Sequence, residues 1–213
     1  EQGIILGQLC NTLEPRLAFY FSSASSELRA LLTPAVRQQL RTDHEAAAAL
    51  CHKVGMSSCK ELREATDVKW NEKGLSAADL ATLGTLGSVL PALEMLTLFE
   101  STGSAGHDGL QRLAEGLVAG SLPAVTLVTL IDIHVGEAGA LALAAALDRG
   151  ALPRLEAVQL MGAAIGDAGL VALAPALRRL PELVCLSFGD NPLGDEGLAA
   201  LVAPPPPAGA LPT

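Results

Sequence analysis

The chain has 213 residues, half of them apolar but 3% aromatic, and a formal charge of −9. That length can bury a continuous core, one filled by Leu and Ala rather than by rings. Beyond residue 61 there are 17 acids against 8 bases, which excludes nucleic-acid backbones and anionic lipid as main partners, since both need clustered Lys and Arg.

Residues 1–58 share no pattern with the rest and read as a helical module. Helices are expected over Ile4–Leu13, over Leu17–Leu32 with interruptions at Ser22, Ser23, Ser25 and Ser26, and from Pro34 to about Val54. Thr33 suits the N-cap of the third, which places Pro34 at the first helical position, where its missing N–H costs nothing. Gly55-Met-Ser-Ser58 is a stop and linker.

From residue 59 to 203 one pattern recurs five times. Strand starts fall at Leu62, Leu90, Leu122, Leu152 and Leu180, at intervals of 28, 32, 30 and 28 residues, and Pro follows the last four. Apolar residues follow each start at fixed offsets: Leu93, Leu96, Leu98; then Val125, Val128, Leu130; then Leu155, Val158, Leu160; then Leu183, Leu186, Phe188. The first copy is degenerate, with Ala65, Val68 and Trp70. A Gly-x-x-Gly turn follows each later strand and launches an Ala/Leu helix. Glu137, Asp167, Asp195 and, one place later, Asp108 stand where a carboxylate meets unpaired helix N–H groups.

A repeat of this length and strand-then-helix order resembles the leucine-rich repeat family in its ribonuclease-inhibitor-like form, L-x-x-L-x-L-x-x-N plus a full helix. Leu183-Val-Cys-Leu186-Ser-Phe188-Gly-Asp-Asn191 fits it best. The resemblance implies an α/β fold: a right-handed solenoid with parallel strands on the concave side, helices on the convex side and the N-terminal helical module before it. In the other copies Lys73, Ser101, Ile133 and Ala163 replace the family's Asn, so its ladder of backbone hydrogen bonds is expected to be mostly absent, leaving glycines and packing to hold the turns.

Leu9-x-x-x-Leu13-Glu-Pro15-Arg-Leu17-Ala, with Ser-Ser-Ala-Ser-Ser-Glu-Leu28-Arg-Ala-Leu31-Leu32 after it, resembles an F-box. That resemblance implies docking of a Skp-type adaptor of a cullin ubiquitin ligase through Leu6, Leu9, Leu13, Pro15 and Leu17, with the repeats selecting substrate. The alternative is that these helices cap the open end of a stand-alone solenoid, as every repeat stack requires. At the other end, residues 204–213 are Pro-rich. Leu211-Pro212 lies 31 residues after Leu180, the spacing of a further repeat; a polyproline tail is the other reading.

Residues between the buried strand positions face outward in columns. The expected protein-binding face comprises Met95, Thr97, Phe99 and Glu100, then Leu127, Thr129, Ile131 and Asp132, then Gln159 and Met161, and finally Ser187 and Asp190. Its apolar centre is of the kind that marks an interaction site, and its acidic edge suits a basic protein surface.

No catalytic, cofactor or metal site is expected. His134 with Asp132 and Glu137 has no counterpart in sister copies, no Gly-x-Ser-x-Gly elbow is present, and Gly84-Thr-Leu-Gly87-Ser lacks the Lys of a phosphate loop. Cys10, Cys51, Cys59 and Cys185 show no framework spacing and read as free thiols. With no signal peptide or spanning segment, the expected location is cytoplasmic or nuclear, an upstream targeting segment before Glu1 remaining compatible with this reading.

Overall fold

The computed structural model describes residues 12, 13, 16 and 32–202. The expected helices Ile4–Leu13 and Leu17–Leu32 lie almost wholly outside the described residues, as does the Pro-rich segment 204–213.

Helix α1 (Pro34–Val54) starts as the sequence predicts: Thr33 Oγ1 accepts the Val36 N–H at 3.3 Å, and Pro34 opens the helix. It ends at Gly55, whose φ of 88° lets the Gly55 and Met56 N–H groups turn back to the His52 and Cys51 carbonyls. Ala47, Leu50, Cys51 and Val54 bury their side chains in the same core as the repeats. Lys53 reaches Asp79 at 2.6 Å and so ties the end of α1 to the first repeat.

Helix α2 (Cys59–Glu64), capped by Ser58, stands where the first strand start was expected at Leu62. The strands themselves begin five residues later than predicted in every copy: β1 (Asp67–Asn71), β2 (Met95–Phe99), β3 (Leu127–Ile131), β4 (Ala157–Met161) and β5 (Cys185–Ser187). Of the residues taken as starts, Leu90, Leu122 and Leu152 are buried loop entries, while Leu180 is a half-buried one. Leu122 and Leu152 adopt φ of 52° and 53°, and their N–H groups hook onto Gly87 and Ser121 carbonyls of the preceding coil. The Pro that follows has no N–H to offer a parallel ladder, which keeps this segment out of the sheet.

The five strands form one parallel sheet in chain order. Each is followed by a helix: α3 (Ala77–Leu86), α4 (Gly109–Gly116), α5 (Gly136–Asp148), α6 (Asp167–Leu177) and α7 (Asp195–Val202). The α3 start carries a capping box, Ser76 with Asp79, which the repeat pattern does not contain. Alternate strand residues point into the space between sheet and helices: Val68 and Trp70, Leu96 and Leu98, Val128 and Leu130, Val158 and Leu160 are all buried. Each fully buried Leu stabilises the stack by about 2 kcal/mol relative to exposure. Leu186, the matching residue of β5, is 37% exposed, because among the described residues no strand lies beyond β5 to cover it.

Helices α3 and α4 meet glycine on glycine. A Cβ on Gly84 would stand 2.2 Å from the Leu113 carbonyl oxygen, and one on Gly116 would stand 2.8 Å from the Gly84 carbonyl carbon. No side chain fits there without moving a helix.

Candidate functional site

The register brings the predicted columns together. Met95 pairs with Leu127 and Leu127 with Ala157; Thr97, Thr129 and Gln159 align; Phe99, Ile131 and Met161 form a third row. Ser187 continues the middle row beside Gln159. Adjacent parallel strands stand about 4.8 Å apart, so Phe99, Ile131 and Met161 make a continuous apolar strip about 10 Å long. Met95, Thr97, Phe99, Leu127, Ile131, Gln159, Met161 and Ser187 are half-buried, while Asp132 and Asp190 are exposed.

Two predicted members do not belong to this surface. Thr129 is 6% exposed, and its hydroxyl donates to Gln159 Oε1 at 3.2 Å, so it serves the sheet rather than a partner. Glu100 is fully buried. Its Oε1 accepts the Lys73 and Leu75 N–H groups at 2.9 and 3.1 Å, and its Oε2 accepts Gly74 N–H at 3.0 Å and the Ser104 hydroxyl at 3.2 Å. The cause lies in the backbone. At the place after each strand, Glu72, Asp132, Gly162 and Asp190 are left-handed, with φ between 51° and 59°, whereas Glu100 is not among the left-handed residues.

Glu100 thereby does the work of the expected Asn. Asn191 Oδ1 accepts the Ala163 and Ile165 N–H groups, both at 3.0 Å, and its amide donates to the Leu160, Phe188 and Gly189 carbonyls. Between these two coils the Val135 and Gly136 N–H groups go to the Ala163 carbonyl at 2.8 and 3.3 Å. The turns are therefore held by hydrogen bonds in more copies than the loss of Asn implies. Asp167 also departs from its expected role: rather than capping its own helix, its Oδ1 accepts Gly194 and Gly197 N–H groups of the next coil at 2.7 and 3.1 Å. Asp108 makes no cap bond and instead pairs with Arg112 at 3.1 Å.

Charge remains on both sides of the apolar strip. Glu94 and Glu156 are exposed just before β2 and β4, and Asp132 and Asp190 just after β3 and β5. Glu72 is engaged with the Ser101 N–H and hydroxyl. At the β1 side Lys69 pairs with Asp67, so the cation there is already neutralised.

Beyond the sheet, the His107 and His134 rings meet edge to face with centroids 4.6 Å apart. Burial, and then the charge of His107, hold the His134 imidazole below its ordinary pKa. Among the described residues no three His, Cys, Asp or Glu side chains gather as metal ligands. No helix there is long and apolar enough to cross a membrane.

Of the residues expected to meet an adaptor, Leu13 is buried in the main core, where His44 Nδ1 donates to the Thr12 carbonyl at 2.8 Å and seats the segment on α1. It is not available to a partner. Leu6, Leu9, Pro15 and Leu17 lie outside the described residues.

Residues 152–174 and 181–202 match the family described as Leucine Rich repeat. The fold is a solenoid of leucine-rich-repeat type. The matched residues are the fourth and fifth coils, the latter containing the copy with Asn191. Among solved structures, "Leiomodin-1 Actin-Binding Site 2 (ABS2)" is similar at 12% identity over 74% of this chain and 69% of that chain, with a TM-score of 0.39. No curated protein matches the chain.

Proposed function

We propose that the chain is a non-catalytic scaffold whose outer strand face binds a protein partner bearing apolar side chains flanked by basic ones. The observation that carries this reading is the row Phe99, Ile131 and Met161, with Met95 and Leu127 on the far side of the Thr97–Thr129–Gln159 row. These side chains are aligned by the sheet register and half-exposed, yet stand on the face opposite the core. Stacking of coils needs the inward row and has no use for this one. Exposed Glu94, Glu156, Asp132 and Asp190 supply the charge that attracts a basic partner and speeds its approach at low salt.

The test is affinity capture with the wild-type chain and with a Leu127→Lys, Ile131→Lys double variant of matching circular dichroism. Loss of the captured protein is expected, and unchanged capture rules out this face. Val118→Lys and Val171→Lys, at exposed helix-side positions, are the control and should bind normally.

A finer form of this reading makes residues 1–58 the dock for a Skp-type adaptor, with the strand face as the substrate receptor of a cullin ubiquitin ligase. It rests on the sequence pattern of that segment, and the buried Leu13 removes one of its contacts. A pull-down of the full chain with such an adaptor decides it: failure at micromolar concentration leaves the stand-alone scaffold, with α1 packed against the first repeat.

A further inference from the structure

The turn between α1 and α2 holds two thiols that the strand face does not use. Cys51 lies in the last turn of α1 and Cys59 opens α2, and their Sγ atoms are 3.9 Å apart. Both are free, and both are buried, at 2% and 8% exposure. A disulfide needs an S–S separation of about 2.0 Å, so the sulfurs must close by less than the length of two bonds, within reach of side-chain rotation. The backbone between them is already fixed in a compact turn. Gly55 is left-handed, Met56 N–H bonds to the Cys51 carbonyl at 2.8 Å, and Ser58 caps α2. Among the described residues no third metal-ligating side chain gathers with these two thiols, and two thiols held this close inside a hydrophobic core have thiol–disulfide chemistry in common.

We propose that Cys51 and Cys59 are an oxidisable dithiol, a modification site at which a small-molecule disulfide converts the pair into an intrachain bridge that staples α1 to the first coil. The conversion is two successive exchanges. The Cys59 thiol, the more exposed, loses its proton to solvent, and its sulfur attacks one sulfur of the small disulfide, expelling a thiolate that takes up a proton. The Cys51 thiol then gives up its proton, and its sulfur attacks Cys59 Sγ and displaces the second small thiolate. Two protein thiols are oxidised, and one small disulfide is reduced to two thiols. Burial, and then the neighbouring Cys59, push the Cys51 thiol up to about 12. That places Cys51 second in the sequence and makes it a poor leaving group, so the closed bridge resists reopening. The bridge shortens the accessible lengths of the unfolded chain and so raises the melting temperature. None of this depends on the strand-face reading.

Oxidised glutathione is the probe, applied to the folded full chain, followed by alkylation of remaining thiols in denaturant. Trypsin cuts after Lys53, so a bridge is read as peptides 42–53 and 54–60 joined, lighter by two hydrogens than their sum. The expected result is that joined pair, two alkylated cysteines left at Cys10 and Cys185, and a melting temperature higher by several degrees that dithiothreitol returns to its starting value. In Cys59→Ala the rise should vanish. Four alkylated cysteines, glutathione retained on Cys51 or Cys59, or a bridge from either to Cys10 or Cys185 would each overturn the proposal. The peptide readout on the wild-type chain decides the matter even where a variant folds poorly.

Discussion

Asn191 and Glu100 hold equivalent N–H groups of the coil before them, those of Ala163 and Ile165 in one case and Lys73 and Leu75 in the other, yet from repeat positions that differ by one residue. An amide both gives and takes, so Asn191 also closes its own turn by donating to Phe188 and Gly189 carbonyls. A carboxylate can accept and nothing more. Glu100 therefore sits among donors alone, three N–H groups and one hydroxyl. Its longer side chain makes up for the residue it is short of the motif position. What the fold requires at this place is an acceptor within reach of two N–H groups, and the residue type follows from the backbone around it.

The largest effect that would break the comparison is expected for Glu100→Ala. Three N–H groups lose their acceptor, that of Leu75 buried and those of Lys73 and Gly74 partly so, at a cost of about 4 kcal/mol in chemical denaturation. Glu100→Asn sharpens the point: if position as well as chemistry matters, the shorter amide cannot reach, and the loss should match that of Ala. Next comes Asn191→Asp, expected to cost about 3 kcal/mol, because the new oxygen faces the Leu160, Phe188 and Gly189 carbonyls that the amide nitrogen satisfied. Glu100→Gln is milder, about 1–2 kcal/mol, since Oε1 keeps its two bonds, the Gly74 N–H loses its acceptor and the Ser104 hydroxyl can turn to accept from the new amide. An equal cost for these two conservative exchanges would show that the sites are not chemically distinct.

The smallest effect concerns the first coil, whose carboxylate at Asp79 holds a cap rather than a turn. Burial alone would raise its pKa, but hydrogen bonds from Lys53 and Ser76 outweigh burial and hold it below the ordinary carboxylate range. Being depressed in the folded state, it contributes stability that is full above its unfolded value and is lost as pH falls through the folded one. A melting series below pH 4 should therefore decline less steeply in Asp79→Asn than in the wild type. Parallel curves would remove Asp79 from the acid transition.

The period of the repeats and the helix capped by Thr33 and stopped by Gly55 were legible from residue spacing, because burial alternates along a strand and recurs around a helix. The strand limits were not. Leu122 and Leu152 are apolar and buried like strand residues, but their left-handed backbone, invisible in composition, sets them in the loop. Glu100 was misplaced for the same kind of reason. As a Glu after a strand, beside Glu72 and Asp132 in sister copies, it looks like part of an exposed edge; one backbone dihedral turns it inward. Thr129 was lost to a neighbour on the next strand, Gln159, that register alone reveals. The sequence marks Cys51 and Cys59 as free thiols but not as neighbours, because Cys51-x7-Cys59 spans a helix end, a turn and a helix start, so its closeness exists in space and not in spacing.

The meeting of Gly84 with Gly116 bears on how such an array can be rebuilt. Repeats of like period invite treatment as interchangeable parts, to be deleted, duplicated or shuffled. Here α3 accepts a neighbour whose Gly116 brings no side chain to Gly84, and α4 accepts one whose Gly84 does the same. A coil moved from elsewhere in the chain would bring a side chain into that gap, so engineering of this solenoid has to carry these two coils as a single cassette.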